Sequence, residues 1–129
     1  LGTVTVSEET FSYVKKIVFE WTSENGGGDA GKATKTTAES YSGQIVRLVT
    51  VPSAAPDAPT ASYGVIINDE DGTDVLMGAA IAGGITGRSA TATEQINASS
   101  LGYVANDRLT LNISAAGNAK KGTVYLYIR

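Results

Sequence analysis

Apolar and polar positions alternate with a period of two along most of the chain, most strictly in its last third. Across residues 108–114, Leu109, Leu111 and Ile113 alternate with Thr110, Asn112 and Ser114. Across residues 124–129, Val124, Leu126 and Ile128 alternate with Tyr125, Tyr127 and Arg129. Successive side chains of a strand point to opposite faces. The pattern therefore predicts two strands with one face on a core and the other towards solvent or a partner. With only small and polar residues between them, they read as a β-hairpin over residues 107–129.

The same signal recurs upstream. Residues 3–7 form a β-branched run, and residues 8–10 read as a polar break. Over 13–22, Ile17, Phe19 and Trp21 share one face, and the lone tryptophan is expected to plug the core. Residues 24–31 are a glycine-rich surface loop without the Gly-Lys-Ser/Thr ending of a phosphate cradle. Residues 33–38 suit an exposed strand whose lysine, Lys35, is edge-protecting or simply solvated. In 44–51 only Arg47 is charged, which predicts burial on both faces. All three prolines fall in 52–59, a long extended connection of the kind a sheet-crossing topology needs.

Alternation resumes over 61–68 with Tyr63, Val65 and Ile67 on one side. Asp71-Gly72 is expected to turn it into a hairpin with 73–77. Residues 78–90 are rich in glycine and alanine and fit a short helical turn or a loop lying on a neighbouring surface. Residues 91–95 read as a strand and 96–103 as irregular. With about eight strand candidates and no amphipathic helix, the expected fold is all-β. It is a single domain over residues 1–129, a two-sheet antiparallel β-sandwich, jelly-roll-like or Ig-like in order.

Composition narrows the function more than the fold. A chain of 129 residues, 42% hydrophobic and 18% charged, sits in the globular range. A net charge of −3 offers nucleic acid no basic field, so none is expected as a partner. There is no cysteine and no histidine. Thiolate chemistry is thereby excluded, along with the commonest general base and the commonest transition-metal ligand. No apolar run is long enough for a helical membrane span, and Leu1-Gly2-Thr3-Val4 carries no leader pattern.

Candidate chemistry is sparse. Residues 68–74, Asn-Asp-Glu-Asp-Gly-Thr-Asp, place oxygen ligands around a glycine turn. They depart from the helix-loop-helix calcium pattern, and the readings are a solvated turn with Asp69 or Asp71 bonded to backbone amides, or weak calcium binding. Glu20, Glu39 and Glu94 are available as carboxylates, with nothing in the sequence to pair them. No enzyme and no cofactor are expected. Tyr125 and Tyr127 face away from the apolar rows. Three readings stand open for them: packing within the chain, a protein interface, or a glycan-stacking platform. In 78–90, Ile81 and Ile85, with Arg88, make a candidate contact loop, the alternative being that both isoleucines turn inward.

Three stretches carry a resemblance: Val14-Lys15-Lys16-Ile17-Val18-Phe19-Glu20-Trp21-Thr22-Ser23, the turn running from Asn68 to Leu76, and the ending from Leu109 to Arg129. In these the chain resembles small virion structural proteins of tailed bacteriophages, some of which are head decoration or cement proteins with a β-sandwich or jelly-roll fold. The resemblance implies a capsid-surface location in the virion, the major capsid protein and further copies of the chain as partners, and shell stabilisation by bridging capsid subunits. It brings no catalytic motif. A final strand ending at Arg129 is expected to suit a compact particle component. The alternative is a carbohydrate- or receptor-binding module of a tail or fibre.

Overall fold

The computed structural model describes residues 2–81, 87–97 and 101–129. Nine strands form: β1 (Thr3–Phe11), β2 (Val14–Thr22), β3 (Ala33–Thr36), β4 (Tyr41–Pro52), β5 (Gly64–Asn68), β6 (Glu94–Asn97), β7 (Tyr103–Asp107), β8 (Thr110–Ser114) and β9 (Lys121–Ile128). No helix occurs among the described residues. One sheet runs β1-β2-β9-β4-β6, with β7 pairing against the start of β4; the other runs β3-β8-β5. All strand pairings are antiparallel.

After the β1–β2 hairpin the chain passes from one sheet to the other at nearly every connection. The winding is jelly-roll-like, with β2-β9-β4-β6 facing β3-β8-β5. The proline-rich segment carries the chain from β4 in one sheet to β5 in the other. Beside β5, the place of a further strand is held by irregular chain. Val75 N–H donates to the Ile67 carbonyl (2.8 Å) and Val65 N–H to the Ala80 carbonyl (2.7 Å).

Several expectations change. The last two strands are not a hairpin: β8 lies between β3 and β5, while β9 lies between β2 and β4 in the opposite sheet. Their connection arches across the core with left-handed backbone at Ala115, Gly117 and Ala119 (φ 57°, 87° and 52°). It is tied to its surroundings. The Ser23 hydroxyl donates to the Gly117 carbonyl (2.6 Å) and accepts from Lys120 N–H (2.9 Å). Ala116 N–H donates to Gly31 (3.1 Å), and Thr60 N–H to Ala116 (2.8 Å).

The Asp71-Gly72 turn forms, but its return leg is a single bridge, Asn68 with Asp74, followed by turns. The expected polar break at 8–10 is strand, because β1 continues to Phe11 along β2. Of the stretch 96–103 read as irregular, Ile96 and Asn97 belong to β6 and Tyr103 begins β7, which extends the pairing along β4 that β6 begins.

The inward rows meet as one core. Ile17, Phe19 and Trp21 of β2, Val124, Leu126 and Ile128 of β9, and Ile45 and Leu48 of β4 face Val65 and Ile67 of β5 and Leu111 and Ile113 of β8. Trp21 is 1% exposed, and its ring packs at 5.4 Å from that of Tyr63, which leads into β5. The indole also lies flat on β9, opposite Gly122. A Cβ at Gly122 would stand 2.6 Å from Trp21 Cζ2, so this strand position requires the absence of a side chain. Gly122→Ala is therefore expected to destabilise the fold by about 1–3 kcal/mol. Chemical denaturation followed by the fluorescence of the single tryptophan measures it, and an unchanged midpoint would contradict this packing.

Candidate functional site

The outer face of the larger sheet is built by registered rows. Val18 of β2, Tyr125 of β9 and Val49 of β4 stand side by side, as do Lys16, Tyr127 and Arg47 in the next row. A bulge in β4 between Ile45 and Arg47 sets this phase, turning Ile45 inward and Arg47 outward on either side of Val46. The buried-on-both-faces expectation for this strand holds in part: Leu48 is core, and Val49 is buried on the outer face, while Arg47 is exposed.

Cations lie over both tyrosine rings. Lys16 Nζ is 5.4 Å from the Tyr125 centroid, and the Arg47 guanidinium is 5.5 Å from that of Tyr127. Arg47 Nε also donates to Gln95 Oε1 (3.0 Å) on β6. Each cation–π contact contributes about 0.5–1 kcal/mol at such partly exposed positions. They restrict the long side chains of Lys16 and Arg47, so covering those side chains would cost less freedom. Towards one end of the face the next row adds Phe11 paired with Val14, and Tyr103 paired with Gln44. Phe11 and Tyr103 are 55% and 74% exposed. An exposed surface rich in tyrosine, phenylalanine and arginine has the composition of a protein interface.

Of the other residues singled out in the sequence, Ile81 and Arg88 do not join this face. Ile81 is exposed in the connection after β5, and Ile85 lies outside the described residues. Arg88 is 6% exposed and turned inward. Its Nη1 is 3.8 Å from Glu94 Oε1, and its Nη2 donates to the Ala79 carbonyl (3.4 Å). It pins the chain after β5 to the start of β6. Burial pushes the nearby Tyr63 hydroxyl up to about 12, against the lowering effects of Thr50 and Arg88. Phe11, Tyr13, Met77 and Tyr103 are exposed apolar residues that the alternation did not single out. Phe11 carried one usable signal, being a large apolar residue in phase with the solvent-facing Thr3, Thr5 and Ser7.

The carboxylates serve the backbone. Asp69 Oδ1 accepts from Asp71 N–H (3.0 Å) and Thr73 N–H (2.9 Å). Asp74 accepts from Leu76 N–H (3.0 Å) and Gly78 N–H (2.9 Å). Among the described residues no group of acidic side chains is arranged to hold a metal ion. Glu20 lies on the outer face of β2, Glu39 in the connection before β4, and Glu94 against Arg88. They form no facing pair. Comparison with protein-family models, with curated proteins and with solved structures finds no match.

Glu8 closes one end of the sandwich. Its carboxylate accepts from Ala38 N–H (2.9 Å), Glu39 N–H (3.0 Å) and the Tyr41 hydroxyl (2.6 Å). Burial alone would raise its pKa, but these three donors together outweigh that and hold it below the usual glutamate value. A lowered native pKa gives stability that is present above the unfolded-state value and lost as pH falls through the native one. Glu8→Gln is therefore expected to lower the melting temperature at neutral pH. The gap to the parent protein should close as the pH drops below the ordinary glutamate range. A gap that persisted undiminished into acid would show that the charge on Glu8 is not the source.

Proposed function

We propose that this chain is a bacteriophage virion structural protein of the capsid decoration or cement kind. In this reading it binds the outside of the shell and stabilises it by bridging major capsid subunits. The observation that carries the proposal is the aromatic, cation-covered outer face of the larger sheet. Backed by the core of the sandwich, it presents registered rows of aromatic and basic side chains across β2, β9 and β4. A cement protein needs such a surface, because binding only the assembled shell stabilises that shell by mass action. The resemblance of the β2 stretch, the acidic turn and the chain's ending to phage virion proteins supports the same reading.

Carbohydrate binding is the competing use of Tyr125 and Tyr127. Sugar stacking needs an open ring face, and here a cation lies over one face of each ring, Lys16 over Tyr125 and Arg47 over Tyr127. That favours a protein partner, for which arginine and tyrosine are the typical anchors.

The test is co-sedimentation of the purified protein with shells of the phage that encodes it. Arg47→Glu and Tyr127→Ala are expected to weaken shell binding at least about tenfold, equivalent to about 1.4 kcal/mol, with the fold intact by circular dichroism. An image reconstruction that located the protein on the tail would overturn the capsid reading. Saturable glycan-array binding, abolished in Tyr125→Ala, would replace it with the carbohydrate one.

A further inference from the structure

The edges of the two sheets are not equally defended. β3 is four residues long, and Lys35 sits on its core-facing side opposite Leu111, where a charge blocks the approach of another strand. β5 is covered by the irregular chain at Val75 and Ala80. β6 is four residues long. β1 differs from all of these: it has nine residues, Thr-Val-Thr-Val-Ser-Glu-Glu-Thr-Phe, in an unbroken ladder with β2 from Thr3 opposite Thr22 to Phe11 opposite Val14. It contains no proline, no lysine and no bulge. Its one inward charge, Glu8, is bonded back into its own domain. A long, regular, β-branched edge without these devices is a template for another strand.

We propose that the free edge of β1 pairs antiparallel with β1 of a second copy, joining the two larger sheets about a two-fold axis at Ser7. Strand addition that keeps the faces matched must set odd residues opposite odd and even opposite even. Centred on Ser7, the pairing uses the whole strand: Thr3 meets Phe11 of the second copy, Thr5 meets Glu9, and Val6 meets Glu8. Centring on Glu8 sets like charges directly opposite, which is destabilising. Centring on Val6 leaves Thr10 and Phe11 without partners.

Charge favours the same arrangement. A groove of about 580 Å³ opens between β1 and β3, lined by Val4, Val6, Glu8, Lys35 and Arg108. Val4 and Val6 are half-buried there, and neither Lys35 nor Arg108 has an ion-pair partner among the described residues. In the Ser7-centred register Glu8 of the second copy stands beside Val6, on the face that looks into this groove. The acidic strand of one copy thus approaches the basic rim of the other, twice over, as an isologous contact requires. The pairing rests on the edge itself and not on the shell-binding reading.

Sedimentation velocity is expected to show a dimer with a dissociation constant on the order of 10 µM or tighter. Ser7→Lys, an exposed substitution that sets two lysines face to face, should weaken the dimer at least tenfold without lowering the melting temperature. Because the chain has no cysteine, Ser7→Cys reports the register directly. Directly opposed strand residues lie about 4.5–5.5 Å apart at Cα, within disulfide reach. Oxidised Ser7→Cys should run as a covalent dimer. Thr3→Cys should link only when mixed with Phe11→Cys. A parent protein that stays monomeric at about 100 µM, or a dimer that Ser7→Cys fails to link, overturns the proposal. A monomer that still co-sediments with shells would sink the edge pairing and leave the decoration reading standing. A cross-linked dimer that binds no shell would do the reverse.

Discussion

The contact on which the rest of the structure depends is that between β8 and β9 across the core. Each is the middle strand of its sheet: β8 between β3 and β5, β9 between β2 and β4. Leu111 and Ile113 from one side, and Val124, Leu126 and Ile128 from the other, form the centre around which every other inward row is placed. The arch between the two strands has few options, because its carbonyls and amides are committed to Ser23, Gly31 and Thr60. Fixing the arch fixes the spacing of the sheets. That spacing sets the slot into which Trp21 is wedged against Gly122 and Tyr63.

One consequence concerns assembly of the fold. β2 cannot be flanked on its inner side until β9 arrives, roughly a hundred residues later in the chain, and β3 similarly waits for β8. Most of the pairing is long-range, the regime in which loop closure precedes the reward of contact and folding is slow. Among the described pairings between strands, only the β1–β2 hairpin is local. Its outer edge has no strand partner among the described residues.

The faces of the strands were legible in the sequence, and their partners were not. Period-two alternation identified Ile17, Phe19, Trp21, Tyr63, Val65, Ile67 and both rows of the last third as inward, and each is core. The same alternation is satisfied equally by a hairpin in one sheet and by an arch between two, so it does not determine the partners of β8 and β9. What separates the two lies in the linker. Ala115 and Ala119 adopt left-handed backbone that their residue type does not advertise. For the site, the outward phase of Tyr125 and Tyr127 was readable, but the cations over them come from β2 and β4, whose register only the three-dimensional pairing supplies. Arg88 is different: in a run of small residues a charge reads as exposed, whereas its bridge to Tyr63 and its contacts with Glu94 and the Ala79 carbonyl turn it inward.

The two surfaces proposed for interaction are geometrically linked. A two-fold axis through Ser7, perpendicular to the sheet, makes the larger sheets of two copies continuous, five strands abreast in each. The resulting sheet lies within the width that twisted open sheets tolerate. The same axis leaves both outer faces on one side. Tyr125, Tyr127, Lys16 and Arg47 of the two copies then point in a common direction, separated by the strands between them. A two-fold through the face instead would bury the aromatics in the dimer and leave nothing to bind a shell. With edge pairing, one dimer presents two equivalent patches to a lattice of repeated subunits. Engagement of the first makes the second intramolecular, so avidity can exceed the affinity of either patch by orders of magnitude without a new contact. Under that arrangement a modest patch on a 129-residue chain would suffice for stable attachment, and the proposed strand addition at β1 would supply the second copy of it.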